Sequence, residues 1–305
     1  GPIDRMQGWP QHPRIVPDRK LLNQWPIYYW RRLPVIWAAN GFSAARVREI
    51  PADALKQALK LGYLRWTRAL KDYAKGADVV DVGCGMGLHG VGFLAEGAKS
   101  YVGVDPEVKL RSSVMKDLHN GKRMDCGWTP EALMARMPRF EMVRGLSNEL
   151  EGKKEFDLAT LHNASEHLVH LEAVFSSIHR LLRPGGRLVF SHHNWFSWNG
   201  HHQTPKTVDK IRADSPEQAR YMDWAHLAGE FPRDSYVMTK LNRLRLSQVR
   251  ALTEKQFDIE VWKTTASTPD QGGGRLTDAV RKRHPELTEE DFTIQSVWVL
   301  ARKKA

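Results

Sequence analysis

The apolar positions of this chain fall into short β-branched runs separated by stretches of helical period. Val79, Val80 and Val82 form one such run, which reads as a buried parallel strand. It stops at Gly83, and Gly83, Gly85 and Gly87 then recur at every second residue, a pattern that allows a sharp turn and close backbone approach to a ligand. Leu88, Val91 and Leu94 share a helical face, so a helix is expected next, with its free N–H groups toward whatever sits on the glycines. Residues 101–104 read as a second strand ending at Asp105, whose carboxylate can accept two hydrogen bonds from a ribose diol. Residues 140–143, 156–161 and 187–191 read as the third, fourth and fifth strands. Leu171, Val174, Phe175, Ile178, Leu181 and Leu182 predict a helix over about 170–182, ended by Pro184-Gly185-Gly186. Strand and helix alternate, which predicts a parallel sheet with right-handed crossovers.

The flanks follow other patterns. Leu55, Leu59, Tyr63, Trp66, Leu70 and Tyr73 predict one amphipathic helix over 52–74, stopped at Gly76. Before it, Pro10, Pro13, Pro17, Pro26 and Pro34 argue against a long helix, and Trp25, Tyr28, Trp30 and Trp37 either pack outside the main domain or line its pocket. The connection from 105 to 139 reads as a loop at 119–128 followed by a short helix over 130–137. After the fifth strand the alternation breaks over about 192–240. A helix at 241–254 and strands at 257–262 and 292–301 follow, with Gly272-Gly273-Gly274 and a basic helix between the two strands. The expected organisation is an N-terminal aromatic and helical cap at 3–75 and a main domain at 76–305, with 193–240 inserted as a lid.

Composition narrows the class. The chain has 305 residues, 41% of them hydrophobic, and no apolar run approaches the ~18 residues of a membrane helix. The first residues lack a charged-then-apolar signal pattern, and Gly1-Pro2 reads as a protease-cleavage scar. Cys84 and Cys126 are the only cysteines, and one lies in the glycine turn, so no disulfide framework is expected and a cytoplasmic setting fits. Lys and Arg number 46 against 35 Asp and Glu, a net charge of +11. The charge is dispersed apart from short clusters such as Arg281-Lys282-Arg283 and Arg302-Lys303-Lys304, so a solvated surface is expected rather than a nucleic-acid partner.

Four features stand in a fixed order: Asp81 before the turn Gly83-Cys84-Gly85-Met86-Gly87, Asp105 ending an apolar strand, the stretch FDLATLHNASEHL at 156–168, and LLRPGGRLVF at 181–190. Together they resemble class I S-adenosylmethionine (SAM)-dependent methyltransferases, over roughly residues 77–192. The resemblance implies an α/β fold with a doubly wound, mostly parallel seven-stranded sheet, helices on both faces, and a closing pair of strands near the C-terminus. It implies SAM as cofactor, with Asp81 in the first motif, Gly83, Gly85 and Gly87 cradling the methionine part and Asp105 holding the ribose. Members commonly carry an acidic or amide residue after the third strand, near the adenine. Here Leu146 replaces the usual Asp, which leaves Ser147 or Asn148 to make that contact. Glu166-His167 matches a pair that in the family orients the helix start or the SAM pocket.

In sheets of this kind ligands bind beyond the carboxyl ends of the strands, which is expected to gather the glycine turn, Asp105, His162-Asn163 and His192-His193-Asn194 around one crevice. Methyl transfer from a sulfonium is an in-line displacement that needs positioning and exclusion of water, and a base only for a protonated acceptor. The stretch HHNWFSWNGHH at 192–202 is the strongest acceptor candidate. It reads as a substrate site with a histidine base, as a metal site, or as a structural lid. The metal reading is weakened by the missing carboxylate nearby, and no metal ligand is assigned. His162, His192 and His193 are expected to flank the methyl group, with His162 also near the cofactor. Asn194, Trp195, Trp198, His201, His202 and Tyr28 are expected to enclose the acceptor. The expected activity is methylation of oxygen or nitrogen on a small polar, glycan-type or aromatic, metabolite. The alternatives are an RNA or protein methyltransferase, a metal-assisted small-molecule enzyme, and a SAM-binding protein without catalysis. The Asn-Pro-Pro-Tyr type motif of many nucleic-acid base methyltransferases is absent after the fourth strand, where LHNASEH stands.

Overall fold

The computed structural model describes residues 41–305, so Tyr28 and the aromatic residues around it lie outside the described residues. The strands are β1 (Asp78–Val82), β2 (Ser100–Val104), β3 (Val114–Lys116), β4 (Arg123–Asp125), β5 (Phe140–Val143), β6 (Phe156–His162), β7 (Leu182–His193), β8 (Phe257–Ala266) and β9 (Ile294–Lys303). Seven of them form the expected sheet, in the order β5-β2-β1-β6-β7-β9-β8. β1 runs parallel to β2 and to β6, β2 parallel to β5, and β9 antiparallel to both β7 and β8. The described residues divide into two compact units, one holding 41–160 together with 181–186, the other holding 161–180 and 187–305. The division does not fall at 75/76.

In the first unit β1 lies between β2 and β6, with Val80 opposite Val102 and Ala159. Val79 and Val80 are fully buried, which is what an unalternating β-branched run requires. The helix Leu88–Ala95 is buried throughout. Its two internal glycines make that possible, because a Cβ at Gly90 would stand 2.5 Å from the Phe140 and Tyr101 rings, and one at Gly92 would stand 2.3 Å from Thr67 Oγ1. The single helix expected over 52–74 is instead three: Ala52–Lys60, Leu64–Ala69 and Lys71–Ala74. Gly62 turns left-handed at φ +86°, and the Leu61 carbonyl accepts from Leu118 N–H at 3.0 Å. The loop expected at 119–128 contains part of a hairpin, β3 with β4, in which Met115 faces Met124. Arg183 donates to Asp78 at 2.9 Å and Asp157 at 3.0 Å, fastening the starts of β1 and β6.

In the second unit β7 pairs with β9 from Arg187 opposite Arg302 to His193 opposite Ser296. The segment expected as a lid is a set of short turns and helices packed on two aromatic clusters. One contains Trp198, Trp224, Val280 and Phe292, and the other Trp195, Val237 and Leu241. This corrects the acceptor roles expected for Trp198 and Asn194. Trp198 is 1% exposed, with its indole N–H on Asp223, and Asn194 is wholly buried, donating to the carbonyls of Asp291 and Ile294 and accepting from Phe196 N–H. Trp195 is likewise a core residue. The helix expected from 241 begins at Leu246. Asn242 pre-empts its first turn by bonding the carbonyls of Glu166, Ser165 and Leu168 through its backbone and side-chain N–H groups.

Candidate functional site

The glycine turn is built from left-handed backbone and from the end of the neighbouring strand. Gly83, Gly85 and Gly87 have φ of +72°, +58° and +84°, values that non-glycine residues adopt at a cost of about 1 kcal/mol or more each. Their spatial demands differ. A Cβ on Gly87 would lie 2.3 Å from Met142 Sδ, whereas one on Gly85 would meet nothing within 4 Å. The turn is therefore closed on the β5 side and open at Gly85, where the backbone is exposed. Asp105 follows β2 and ties the arrangement together: Oδ2 accepts from Gly85 N–H at 3.1 Å and Oδ1 from Glu107 N–H at 2.8 Å. Each carboxylate oxygen keeps acceptor capacity for a hydroxyl. Gly145 N–H donates to the Asp105 carbonyl at 3.2 Å, so the segment after β5 lies beside it. There Ser147 is buried, Asn148 is exposed and Leu146 is 56% exposed. These residues fit a nucleoside with a flexible polar tail: an open glycine backbone, a carboxylate with free lone pairs, and an apolar side chain beside it.

Asp81 sits differently from the expected cofactor contact. It is 2% exposed and accepts from Tyr101 Oη at 2.7 Å and Thr160 Oγ1 at 3.3 Å. Burial pushes its pKa up to about 7, against the pull of those two hydroxyls, and the Asp105 charge adds to the rise. Its carboxyl is held between a hydroxyl of β2 and one of β6, behind the turn.

The histidine-rich stretch belongs to the second unit. His192 is 1% exposed, with Nδ1 2.7 Å from Ser165 Oγ, and burial, together with His193 and His167, takes its pKa down to about 3. His192, expected as a base at the reacting centre, is a core side chain set on Ser165. His193 places Nε2 3.1 Å from Asn199 Oδ1, and burial lowers its pKa to about 4. His201 and His202 are pushed down to about 2, also by burial first, and the Nε2 of each is buried without a hydrogen-bond partner. His201 accepts on Nδ1 from Gln203 N–H, a local loop contact. The rings of His193 and His202 lie 4.6 Å apart, and those of His167 and His202 5.0 Å. Among the described residues no group of three His, Cys, Asp or Glu side chains is arranged to hold a metal ion. His162 ends β6 and is partly exposed.

Around this cluster stand Glu166 and Asn163, both singled out in the sequence, and Ser191 and Asn242, which carry no sequence signal. Glu166 accepts from His193 N–H at 2.9 Å, and burial raises its pKa to about 7. Asn163 adopts φ +48°, held there by Ser191, whose hydroxyl accepts from its backbone N–H and donates to its side-chain oxygen. Asn242 and Ser191 lie far from their partners in sequence, and only the fold brings them in. Asn163 is a residue type that tolerates left-handed backbone.

A methyltransferase-domain family matches residues 50–256, more than half of the chain. The chain belongs to that family, and its sheet order is the one that the resemblance to class I SAM-dependent methyltransferases implies. Among its relatives, a ubiquinone biosynthesis O-methyltransferase of Dechloromonas aromatica is 31% identical over 117 residues, 38% of this chain and 44% of that protein. The chain spans less than half the length of the curated relatives it matches. A SAM-dependent methyltransferase structure from Mesorhizobium loti is 21% identical, covering 78% of this chain and 96% of that one at a TM-score of 0.46. A 1,6-didemethyltoxoflavin-N1-methyltransferase structure from Burkholderia thailandensis is 15% identical, covering 92% and 91% at a TM-score of 0.47.

Proposed function

We propose that the protein transfers the methyl group of SAM to an oxygen or nitrogen of a small polar metabolite. The observation that carries this reading is the junction of Asp105 with Gly85: a strand-end carboxylate bonded to the N–H of a glycine whose outer side is open. When bound, the cofactor supplies an electrophilic methyl on a sulfonium. The chain's own residues bind and orient. Gly83, Gly85 and Gly87 give the amino-acid part a close backbone approach, and Asp105 accepts from the ribose hydroxyls. Leu146 gives the adenine an apolar flank, with Ser147 and Asn148 as its polar neighbours. The curated relatives named as O-methyltransferases support oxygen as the first acceptor atom to test.

In functional terms the cap falls within 3–75 and the acceptor-selecting segment within 193–240. His162 takes the acceptor proton, since a partly exposed imidazole at the end of a sheet strand meets that demand better than the buried His192. His193 positions through its bond to Asn199. His201 and His202 shape the wall of that segment.

Calorimetric titration with SAM and S-adenosylhomocysteine tests the cofactor half. Wild type is expected to bind in the micromolar range, and Asp105→Ala to lose about a hundredfold or more, as when two hydrogen bonds to a charged group are lost. Absence of binding to wild type would overturn the reading. A methylation screen with labelled SAM across phenols, sugars and amines tests the acceptor half. His162→Gln is expected to lower kcat on hydroxyl acceptors while SAM affinity stays unchanged.

A further inference from the structure

We propose that the second unit carries a separate binding site for an organic anion, a carboxylate or phosphate borne on a flat apolar body. The site is a cavity of about 540 Å³, lined by Arg220, Trp224, Ala228, Phe231, Arg283 and His284, with Glu230 at its rim. That volume lies within the range of roughly 300–1,000 Å³ typical of small-ligand pockets. Its residues 220–231 fall inside the segment proposed to select the acceptor, but none of the lining residues is given a contact with cofactor or acceptor there.

The walls are built rather than incidental. Asp223 and Trp224 are two consecutive non-glycine residues in the left-handed region, at φ +51° and +65°. Such backbone persists only where its surroundings over-determine it, and it clusters at ligand sites. Here the determinants are on hand. Arg275 grips Asp223 through two bonds of 2.7 and 2.9 Å, and Trp198 Nε1 adds a third at 3.0 Å. Trp224 is 3% exposed and its own indole N–H is satisfied by the Phe196 carbonyl at 2.8 Å, so the indole serves as apolar wall with no polar demand left. Phe231 is stacked on Tyr221 with ring centroids 5.8 Å apart, and Arg220 lies over the same ring at 5.5 Å. Gly229 admits this packing, because a Cβ there would stand 2.9 Å from the Phe231 ring.

The charge at the cavity sets the ligand class. Arg220 and Arg283 are exposed, and among the described residues neither forms an ion pair with a carboxylate. Asp223, next to the lining residue Trp224 in the chain, is already held by Arg275, and its pKa is lowered by that bond in spite of burial, with Arg283 contributing to its field. His284 faces Glu286 at 3.6 Å. Glu230 is therefore the one lining carboxylate against two guanidinium groups, each a fork of N–H donors matched to an oxyanion. An aromatic body on Trp224 and Phe231, with its oxyanion between the arginines, uses both the apolar wall and the charge.

The test is calorimetric titration of the full chain with 1-naphthoate, 1-naphthyl phosphate and the neutral 1-naphthalenemethanol. At least one acid is expected to bind, and the alcohol about tenfold or more weaker. The stronger of the two acids tells a carboxylate source from a phosphate source. The double variant Arg220→Gln/Arg283→Gln is expected to lose about tenfold or more for the acids and little for the alcohol. Ala228→Trp, which fills the cavity from an exposed position, is expected to abolish all three. SAM titration and a thermal melt on each variant report folding independently, so a failure of SAM binding and a failure of this site are read separately. No heat with either acid overturns the proposal. Equal affinity for the alcohol, or acid binding unchanged in the double variant, overturns it as well.

Discussion

The two compact units differ in which buried ionisable groups are most strongly shifted. The first holds carboxyls: Asp81, and Glu96 beside Arg68 at 2.8 Å, both raised to about 7 by burial, with the Arg68 charge opposing the rise at Glu96. The second holds imidazoles: His192, His193, His201, His202 and His226, all lowered by burial to between about 2 and about 4. The contrast follows from what each part has to hold. A strand layer accommodates a short neutral carboxyl that hydroxyls can hold, as Tyr101 and Thr160 hold Asp81. An irregular segment has many loose carbonyls and side-chain oxygens, and neutral imidazoles satisfy them, as His226 does with the Trp195 carbonyl at 2.8 Å. The units should therefore respond to pH in opposite directions.

For the raised carboxyls the folded state binds the proton more tightly. Their contribution to stability is present below the usual carboxylate range and is lost as pH rises through about 7. For the lowered imidazoles the unfolded chain binds more protons below 6.5. Their contribution is present above 6.5 and is lost as pH falls toward the folded values. Glu166, raised to about 7, runs against the trend of its own unit.

The largest expected effect is acid opening of the second unit. At pH 5 each lowered imidazole costs on the order of 2 kcal/mol relative to pH 7, and five such groups dominate the single glutamate. Hydrogen exchange corrected for intrinsic rate should show amides of 194–202 losing protection between pH 7 and 5 while those of β1 and β2 keep theirs. Uniform loss in both units would break the comparison. Next comes Gly87→Ala, which joins backbone strain at φ +84° to a clash with Met142 and is expected to destabilise by about 2–4 kcal/mol. Denaturant melts at pH 5 and pH 8 should show the same loss at both, since no titrating group is altered.

A smaller effect is expected from Asp81→Asn. The amide keeps an acceptor for Tyr101 but cannot ionise, so the part of the loss in stability between pH 5 and 8 that Asp81 causes should disappear, leaving that of Glu96. The variant should stand nearer to wild type at pH 8 than at pH 5, and the reverse order in denaturant melts would contradict a proton held on Asp81. The smallest is Leu146→Asp on the exposed edge beside Asp105. It is expected to change SAM affinity by about two- to fivefold, with the melting temperature unchanged, as for an exposed substitution.

The regular part of the fold was readable because its strands are short, mostly apolar runs that bury at least one face. Val79–Val80 and Phe140–Val143 could not satisfy their apolar surface in any other way. β3 and β4 escaped notice because Val-Met-Lys and Arg-Met-Asp are short and half polar, with Met115 the one wholly buried member. The cofactor residues were visible as a spacing, but the inward turn of Asp81 depends on Tyr101 and Thr160, the latter 79 residues away. The histidines of 192–202 were visible as chemistry while their burial was not. That burial rests on Asn194 reaching Asp291 and Ile294, and on clusters that join Trp198 to Val280 and Phe292. No local pattern encodes such distant pairings.

The return of residues 181–186 to the first unit, marked by Arg183 on Asp78 and Asp157, has a consequence for how this chain can be divided. The polypeptide passes from one unit to the other after 160, again after 180 and again after 186. No single cut yields either unit whole: a fragment ending at 160 lacks the arginine that fastens two of its strands, and one starting at 187 lacks the helix Leu171–Leu181. Recombination that exchanges the second unit of such a chain must therefore carry two separate stretches of gene, and a protease nick at any one of the three crossings leaves a unit split between fragments.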